Sequence, residues 1–467
     1  LMTEAESAEK LYLAALATLP FTLLDQQDEV LRRMCLFAVS DTPGEVFVLN
    51  GYAGTGKTSL VGALIKALDA SKRKTVVLAP TGRGAKVASG MSAHPAGTIH
   101  RRLFRPDMSD ASGMRYVMAP NQSRDTLFIV DEASLIADSK GPDSLLAMLV
   151  KHVYSAPGCK MLLMGDEAQL PPVGQTVANA MNPDRLRSLG LIPHCHVLDV
   201  AMRQDAESGI IHNATLMRHL LYHPDTQLQP CIDTAGFKDV RVISSRELPD
   251  ELAASYSSVG QEETLIITRA NWRANDFNQA IRQQVFDYDS PVSRGDRLVI
   301  TKNDYFWGKQ NGRNGLIANG DMAEVKWTGR TEKVYGRYFT EVELQFGDGR
   351  IINAQLMLRS LMTKGSSIPR EEMERFMNRI MADTEGVLSE KIAAALNSPY
   401  YNALQAKYAY CVTCHKAQGG EWKHVYIDMG GIDPESLGPE FYRWIYTAIT
   451  RATQRVYFVN PTIQVIE

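Results

Sequence analysis

The chain has 467 residues, of which 45% are hydrophobic and 22% are charged, a composition typical of a globular protein built from several packed units. Lys and Arg together number 50 and Asp and Glu 53, which gives a net charge of -3. A nucleic-acid partner would therefore need a local basic groove, because the overall field is not attractive. The apolar runs are shorter than the roughly 18 residues that cross a bilayer, so no membrane span is expected.

The N-terminal stretch TEAESAEKLYLAALATL is acidic and rich in alanine, and it predicts a short helix within residues 1–20. It has neither the basic start nor the small-residue cleavage site of a secretory signal. The six cysteines are therefore expected to be reduced thiols, and the protein is expected to be cytoplasmic.

A phosphate-binding loop is predicted next, between a strand and a helix. The apolar run Glu45–Asn50 is followed by GYAGTGKT and then by an amphipathic run that reaches Leu68. Glycines let successive N–H groups surround phosphates, and the helix N-terminus adds its positive end. Lys57 is expected to reach the β- and γ-phosphates of ATP, and Thr58 to offer its hydroxyl to Mg²⁺. The nucleotide-binding residues predicted here are Gly51, Gly54, Thr55, Gly56, Lys57, Thr58 and Ser59.

Two further strands end in polar residues that suit phosphoryl chemistry. The buried run Thr126–Val130 leads into Asp131 and Glu132, and Lys160–Met164 leads into GDEAQLPPVG, which contains Gln169. At the carboxyl edge of a parallel sheet, Asp131 can hold magnesium while Glu132 polarises a water for in-line attack. The amide of Gln169 can sense the γ-phosphate. A solvated acidic pair capping a strand is the alternative, but the loop upstream favours a motor ATPase.

The stretch YCVTCHKAQGG contains Cys411-x-x-Cys414-His415, which can indicate haem attachment, a dithiol centre or half a zinc site. A reducing compartment disfavours haem attachment. No second Cys/His cluster lies nearby in the sequence to complete four zinc ligands. An incidental cysteine pair at a strand end is therefore favoured, with a redox or zinc role as the alternative.

Five motifs in this order carry a resemblance to a known family: GYAGTGKTS, DEAS, GDEAQLPPVG, CHKAQGGEW and YTAITRAT. From about Leu23 to Asn460 the chain resembles the superfamily-one DNA helicases of the RecD, Dda and Pif-one group. The Pro-Pro form of QLPPVG favours the branch that moves 5′→3′. The resemblance thus implies an ATP-dependent 5′→3′ helicase that translocates on single-stranded DNA and unwinds duplex or structured DNA.

The resemblance also implies roles for residues outside the loop. Gln27 resembles the glutamine that reads adenine, with Gln26 as the alternative. Arg203 and Arg451 resemble two arginine fingers that the second motor domain contributes to the γ-phosphate. The predicted catalytic residues are Lys57, Glu132, Gln169, Arg203 and Arg451; Gly420 and Glu421 are added to the nucleotide site, and Thr58 with Asp131 forms the metal site.

Strand contacts are predicted at small hydroxyls, imidazoles and a single cation, which bind phosphates without reading sequence. These residues are Thr81, Thr98, His100, Thr413, His415 and Lys416. The turn-rich segment at about 100–124 corresponds to a pin at the fork, in which Phe104 is either an apolar wedge or a buried anchor. Phe104, Trp307 and Trp422 are candidates for base stacking, with core packing as the alternative.

The predicted fold class is α/β, with two tandem RecA-like P-loop domains, a small pin insertion and an SH3-like β-barrel insertion. The predicted boundaries are 1–20 for the N-terminal helix, 21–180 for the first RecA-like domain, 181–294 and 406–467 for the second, and 295–405 for the barrel insertion. The strand in CHVLDV is assigned to the second domain, and an amphipathic helical stretch is expected from Pro369 to Asn397.

Two other functions stay open at this point. One is a single-strand translocase that serves a nuclease or repair complex without unwinding. The other is a nucleotide-gated DNA-binding scaffold, although a scaffold has no need of the complete set of catalytic side chains. The predicted partners are single-stranded DNA and fork or structured DNA, with no membrane partner and a monomer in the free state.

Overall fold

The computed structural model describes residues 3–91, 96–106, 116–139, 141, 143–201, 207–311, 316–433 and 437–467. The helices are, in chain order, α1 (Glu4–Leu16), α2 (Asp25–Val39), α3 (Lys57–Ala70), α4 (Gly82–Ala88), α5 (Ile99–Leu103), α6 (Leu145–Tyr154), α7 (Pro183–Ser188), α8 (Gly209–Tyr222), α9 (Leu248–Ser258), α10 (Asn271–Gln284), α11 (Phe306–Gln310), α12 (Leu358–Leu361), α13 (Arg370–Ala382), α14 (Leu388–Leu396), α15 (Cys414–Ala417) and α16 (Pro439–Ile449).

The strands are, in chain order, β1 (Glu45–Gly51), β2 (Lys74–Ala79), β3 (Gly97–Thr98), β4 (Phe104–Pro106), β5 (Tyr116–Met118), β6 (Thr126–Val130), β7 (Lys160–Gly165), β8 (Ile192–Leu198), β9 (Cys231–Asp233), β10 (Val240–Ile243), β11 (Thr264–Thr268), β12 (Arg297–Ile300), β13 (Met322–Val334), β14 (Arg337–Phe346), β15 (Ile351–Met357), β16 (Ala406–Tyr408), β17 (Cys411–Thr413), β18 (Trp422–Asp428), β19 (Ala452–Val459) and β20 (Gln464–Ile466). Within the described ranges, each helix is too short or too polar to cross a bilayer.

The first unit is a parallel sheet of six strands, in the order β3-β2-β6-β7-β1-β8, together with its helices. Its central strands are apolar along their length because helices cover both faces. In β1, Phe47 and Leu49 pack with α1, α2 and α3, whereas Val46 and Val48 pack with α5 and α6. The carboxyl ends of β1, β6 and β7 meet at one edge, where ligands bind in sheets of this kind.

One strand lies in a different unit from the one predicted. β8, which contains the CHVL of CHVLDV, pairs in parallel with β1, from Glu45↔Ile192 to Gly51↔Leu198. Its assignment to the second domain is therefore wrong. β8 is half-exposed at the edge of the first sheet. The residue pattern of a strand specifies which of its faces is buried, but not which neighbour receives its hydrogen bonds.

The second unit is a parallel sheet of five strands, in the order β10-β19-β18-β11-β17. Helices α8 and α16 pack on one face, and α9 and α10 pack on the other. Thr268 at the end of β11 pairs with Thr413 at the end of β17. The segments that follow these two strands therefore lie side by side at the carboxyl edge.

Between α10 and β17 the chain forms the β insertion, an antiparallel sheet in the order β15-β14-β13-β12-β16. A bridge between Leu356 and Leu404 links its two edge regions. β16 belongs to this sheet because it pairs with β12, so the return to the second sheet begins at Cys411 rather than at residue 406. The SH3-like designation and the lower boundary at residue 295 stay predictions.

The helical stretch expected from Pro369 to Asn397 consists of two helices, α13 and α14. Between them Gly386 has φ 117°, a conformation that favours glycine, and the helix is interrupted there. Met373, Phe376 and Ile380 of α13 pack in one apolar cluster with Phe339 of β14. These helices thus form part of the β insertion.

The segment predicted as a pin has a two-stranded antiparallel base. β4 pairs with β5, from Phe104↔Met118 to Pro106↔Tyr116. Residues 107–115, which would form the tip, lie outside the described residues. The role of a pin at a fork stays a prediction.

Candidate active site

The glycine loop between β1 and α3 has the backbone conformation that a phosphate cradle needs. Gly54 and Gly56 have φ of 74° and 81°, and Gly56 caps α3, so its N-terminal N–H groups face the loop. The hydroxyl of Thr55 donates to the carbonyl of Tyr52 at 2.8 Å and holds the curve. Lys57 Nζ donates to the carbonyl oxygen of Gly51 at 2.9 Å and that of Gly165 at 3.3 Å. Thr58 and Ser59 are exposed at the helix start.

The acidic pair after β6 lies beside this loop. Asp131 is 7% exposed, and its Oδ1 accepts a hydrogen bond from the Glu132 N–H at 2.8 Å. Burial, and then the charge of Glu132, raise the pKa of Asp131 above its ordinary value, while Lys57 lowers it. Glu132 has φ 52°, an uncommon conformation that turns its carboxylate. Glu132 Oε2 is buried and has no hydrogen-bond partner among the described residues.

The segment after β7 adds two polar groups. Gln169 is 5% exposed, and its Oε1 has no hydrogen-bond partner within the described part of the chain. Asp166 is buried, and burial raises the pKa of its carboxyl above the usual range. Asp166 was missed by the sequence analysis, although it stands in the same GDEAQ motif. Buried oxygens without partners, on Glu132 and Gln169, are what a site that binds a polar ligand would present.

An arginine of the second unit reaches this site. Arg451 is 3% exposed, and its Nη1 lies 3.6 Å from Glu132 Oε1. The same nitrogen donates to the Gly420 carbonyl at 3.1 Å, and Nε donates to the Thr447 carbonyl at 3.2 Å. Backbone oxygens of the second unit thus hold the Arg451 guanidinium so that it faces Glu132 of the first unit.

The helix α16 carries further contacts between the two units. Tyr446 OH donates to Asp166 Oδ2 at 2.5 Å and accepts from the Ala53 N–H at 3.0 Å. Thr447 Oγ1 accepts from the Leu170 N–H at 2.8 Å. The sequence analysis missed Tyr446 and Thr447, because two adjacent helix positions give no periodic signal.

A cleft of about 250 Å³ lies between the glycine loop and the segment that follows α16. Its walls come from both units and include the loop from Tyr52 to Thr58, Asp131, Glu132, Asp166 and Gln169 on one side, and Gly419, Glu421 and residues 450–453 on the other. The structure thus brings Gly54–Thr58 of the first unit together with Glu421 of the second. Gly420 contributes its carbonyl, which binds Arg451.

The two candidates for the residue that reads adenine lie elsewhere. Gln27 is 1% exposed, and its Nε2 donates to the Thr55 carbonyl at 2.9 Å, behind the glycine loop. Gln26 binds Asp199 through side-chain and backbone atoms. Neither lines the cleft, so the structure does not separate the two as adenine contacts. Arg203 lies outside the described residues.

The predicted strand contacts of the first unit are mostly engaged in local bonds. Thr81 Oγ1 accepts from the Gly84 N–H and caps α4, and Thr98 Oγ1 accepts from the Arg101 N–H and caps α5. His100 lies half-buried, and burial lowers the pKa of its imidazole. Phe104 packs partly buried against the core of the first unit, which corresponds to the anchor alternative.

The strand contacts predicted in the second unit follow β17. Thr413 is 9% exposed, His415 is exposed and Lys416 is half-buried. Desolvation by the surrounding protein atoms lowers the pKa of the His415 imidazole, although its surface is exposed. Burial also lowers the pKa of Lys416 to about 8, with a further contribution from the charge of Lys407. Lys407, which the sequence analysis did not select, is itself buried in β16.

The tryptophans suggested for base stacking are not exposed. Trp422 is 2% exposed, and the guanidinium of Arg83 covers it, with Arg83 Cζ 4.2 Å from the centroid of the Trp422 ring. Trp307 is partly buried and donates from Nε1 to the Asn402 carbonyl at 2.8 Å. Trp272, by contrast, is 56% exposed in the first turn of α10, beside the carboxyl end of β11. It is the tryptophan best placed to meet a strand at this edge.

The cysteine pair has the environment of inert thiols. Cys411 and Cys414 are both 1% exposed, and burial raises both pKa values, that of Cys414 to about 12. Cys414 Sγ lies 3.6 Å from the Trp444 carbonyl, to which it donates. No cluster of metal-ligating side chains occurs among the residues that were described. These observations favour the incidental interpretation, because the reactive form of a cysteine is the thiolate.

Two family models match the chain. Residues 22–218 match an AAA domain, and residues 408–459 match a UvrD-like helicase C-terminal domain. The first match contains the glycine loop, Asp131, Glu132 and Gln169, and the second contains Arg451. Both walls of the cleft thus lie within matched segments.

Several curated proteins are similar in sequence. The chain is 24% identical over 495 residues to an uncharacterized protein of Acanthamoeba polyphaga mimivirus, covering 90% of this chain and 96% of that protein. It is 25% identical over 423 residues to the ATP-dependent RecD2 DNA helicase of Deinococcus radiodurans, covering 88% and 46% respectively. It is 25% identical over 260 residues to the ATP-dependent DNA helicase dda of Enterobacteria phage T4, covering 54% and 55%. The chain spans about half the length of these two helicases.

Among solved structures, the chain is similar to a crystal structure of Pif1 helicase from Bacteroides in complex with ADP-AlF3 and ssDNA. The sequence identity is 16%, the match covers 94% of this chain and 92% of that one, and the TM-score is 0.48.

Proposed function

We propose that this chain, which belongs to the superfamily-one helicases of the RecD and Dda type, is an ATP-dependent helicase that moves 5′→3′ on single-stranded DNA and unwinds duplex or structured DNA. One observation carries the proposal. The cleft that holds the glycine loop is walled by two separate α/β units, and Arg451 of the second unit lies 3.6 Å from Glu132 of the first. Chemistry in this cleft therefore changes contacts between the units.

The residues of the first unit suit ATP hydrolysis. Lys57 replaces its bonds to the Gly51 and Gly165 carbonyls with bonds to phosphate oxygens, and the N–H groups of the loop surround the remaining oxygens. The buried Oε2 of Glu132 accepts a proton from the attacking water and orients it. Gln169 Oε1 accepts a second hydrogen bond at the same place.

The metal site fits a hard divalent cation. The Thr58 hydroxyl and the Asp131 carboxylate are oxygen ligands, the type that Mg²⁺ prefers. The carboxylate is buried beside Glu132; burial, and then the charge of Glu132, raise the pKa of Asp131, and a bound cation would favour its charged form. When bound, Mg²⁺ would neutralise charge on the phosphate oxygens.

The second unit supplies transition-state stabilisation. The carbonyl oxygens of Gly420 and Thr447 hold the Arg451 guanidinium at the cleft. In related phosphoryl-transfer enzymes, an arginine in this role increases the rate about 10³- to 10⁵-fold. Arg203, assigned the same role by resemblance, is proposed as the second finger.

The helix α16 would couple ATP hydrolysis to movement along the DNA strand. Tyr446 and Thr447 bind the Asp166–Leu170 segment of the first unit, so a change at the phosphates reaches α16 and then β17 through the core of the second unit. Strand contacts at Thr413, His415 and Lys416 follow β17. If these contacts tighten while those of the first unit loosen, each turnover advances the protein along the strand.

The experiment that tests this function compares two partial duplexes of the same sequence, one with a 5′ and one with a 3′ single-stranded tail. We expect ATP-dependent unwinding of the 5′-tailed duplex alone. Unwinding of the 3′-tailed duplex alone would refute the direction, and strand-stimulated ATP hydrolysis without any unwinding would favour the translocase alternative.

A further inference from the structure

The β insertion contains a groove that is separate from the cleft between the two α/β units. This insertion groove has a volume of about 950 Å³ and lies where the turn between β13 and β14 approaches α12 and α13. The turn supplies Tyr335 and Gly336, and the helices supply Leu358 and Phe376. Its lining, as far as the structure describes it, includes none of the predicted nucleotide or strand contacts. A ligand of this groove would therefore bind apart from ATP and from those strand contacts.

The floor of the insertion groove is apolar. Phe376 is 2% exposed and Leu358 is 8% exposed, and the ring of Tyr335 packs edge-on to that of Phe376 with the centroids 6.2 Å apart. At the rim, Tyr338 and Met362 are 52% and 54% exposed, although both side chains are largely apolar. A concave site with exposed apolar surface is typical of a place where another molecule docks.

Four arginines and a single carboxylate line the same groove. Arg337 Nη1 lies 2.7 Å from Glu372 Oε1, and Arg359 Nε lies 3.5 Å from the same oxygen, so two guanidinium groups share one carboxylate. Arg375 and Arg379, which are exposed and one turn apart on α13, form no ion pair with the residues that the structure describes. The groove thus has a surplus of positive charge that faces solvent, and this surplus favours an anionic ligand.

The side chains of the insertion groove favour a peptide over a polynucleotide. Its described cations are all arginine, without a lysine, and its other large side chains are tyrosine, phenylalanine, leucine and methionine. Arginine, methionine and aromatic residues are enriched at protein interfaces and lysine is depleted there, whereas phosphate backbones are bound by both cations. The planar guanidinium also binds a carboxylate through two parallel hydrogen bonds. Glu372 would repel a run of phosphates, but a peptide can place an apolar side chain on the floor between its carboxylates.

We propose that the insertion groove docks an acidic peptide segment of a partner protein, in which a bulky apolar side chain is flanked by aspartates or glutamates. The apolar side chain enters between Tyr338 and Met362 and covers Phe376, and the flanking carboxylates bind Arg375 and Arg379. This inference adds a protein partner to the proposed function and does not depend on it, because the groove and the cleft share no residue among those that line them. Docking here would hold the partner beside the two α/β units and leave the cleft free for ATP.

The test measures, by fluorescence anisotropy, binding of a short fluorescein-labelled synthetic peptide in which aspartates flank one phenylalanine. Two matched peptides replace the aspartates with asparagine, or the phenylalanine with serine. The proteins are the wild type, Arg375→Ala, Arg379→Ala and the control Arg370→Ala, which removes an exposed arginine of the same helix that does not line the groove.

We expect the wild type to bind the acidic phenylalanine peptide more tightly than either matched peptide. Arg375→Ala and Arg379→Ala should each weaken this binding about 3- to 5-fold, the upper range for an exposed ion pair, and Arg370→Ala should keep the affinity of the wild type. Because both groove arginines are exposed, their replacement should leave the fold intact.

Three results would overturn the inference. The first is equal affinity of the wild type for the acidic peptide and its asparagine counterpart, and the second is wild-type affinity for the acidic peptide in both groove variants. The third concerns fluorescein-labelled oligothymidylate: if Arg375→Ala and Arg379→Ala weaken its binding and leave peptide binding unchanged, the groove binds a DNA strand and not a peptide. Weaker peptide binding by both variants, with unwinding of the 5′-tailed duplex as in the wild type, would support the inference.

Discussion

The replacement Lys407→Met should stabilise the free protein, because it removes a charge that folding buries. Burial lowers the pKa of Lys407 from 10.5 to about 8, which corresponds to about 3 kcal/mol of unfavourable free energy for the charged form in the folded state. Methionine keeps a flexible apolar side chain of similar length. The Thr363 carbonyl, which accepts from Lys407 Nζ, also keeps a bond from Asn275 Nδ2 at 3.1 Å, so the lost hydrogen bond costs about 1 kcal/mol. A net gain of about 2 kcal/mol is expected at pH 7.

The dependence on pH identifies the cause. The folded-state pKa of Lys407 is lowered below its ordinary value, so the penalty is complete below about pH 8. Between about pH 8 and 10.5 the unfolded chain binds a proton that the folded chain has released, and the wild type recovers the penalty as pH rises. The advantage of Lys407→Met should therefore be largest at pH 7 and should shrink by about 3 kcal/mol towards pH 10.5.

The assay is the difference in thermal unfolding midpoint between variant and wild type, measured without DNA at pH 7 and at pH 10. A gain of about 2 kcal/mol in the free energy of unfolding corresponds to a rise of about 4–8 °C in the midpoint for a domain of about 150–250 residues. The control Lys66→Met removes an exposed lysine and should change the midpoint little at either pH. A midpoint lower than that of the wild type at pH 7, or a difference that does not change with pH, would refute the reasoning.

Three further predictions concern the active site, the strand and the cysteines. Lys57→Ala and Glu132→Gln should abolish ATP hydrolysis in a phosphate-release assay while keeping affinity for oligothymidylate; normal turnover by either variant would show that the site is wrongly assigned. Trp272→Ala should weaken oligothymidylate binding by about 1–3 kcal/mol, or roughly 5- to 150-fold, measured by anisotropy, and unchanged affinity would exclude base stacking by this ring. In the folded protein, Cys411 and Cys414 should react with a thiol reagent only after unfolding, and rapid modification of either at pH 8 would contradict their burial.

The parts of the site that were predictable are those in which chemistry is confined to a short segment. The glycine loop needs particular residues at fixed spacing between a strand and a helix, so its place in the fold follows from the segment itself. Asp131 and Glu132 are similar, because a buried strand delivers the two residues that follow it to the carboxyl edge of the sheet. Gln169 follows β7 in the same way.

The parts that were not predictable depend on long-range pairing. β8 has the alternation of an ordinary strand, and only its pairing with β1 places it in the first sheet. Trp422 and Trp272 are chemically alike, but one is covered by Arg83 and the other is exposed, which depends on the approach of distant segments. Lys407 is unusual only because Thr363 and Asn275 enclose it. Burial of this kind is a property of the assembled fold.

The central claim is that ATP is hydrolysed between two units and that the second unit takes part in the chemistry. The most direct test is steady-state ATP hydrolysis by Arg451→Ala at saturating oligothymidylate, with Arg269→Ala as a control that removes a partly exposed arginine of the same unit. We predict that Arg451→Ala loses at least about 10³ in turnover while Arg269→Ala retains it. Turnover by folded Arg451→Ala within about tenfold of the wild type would contradict the claim.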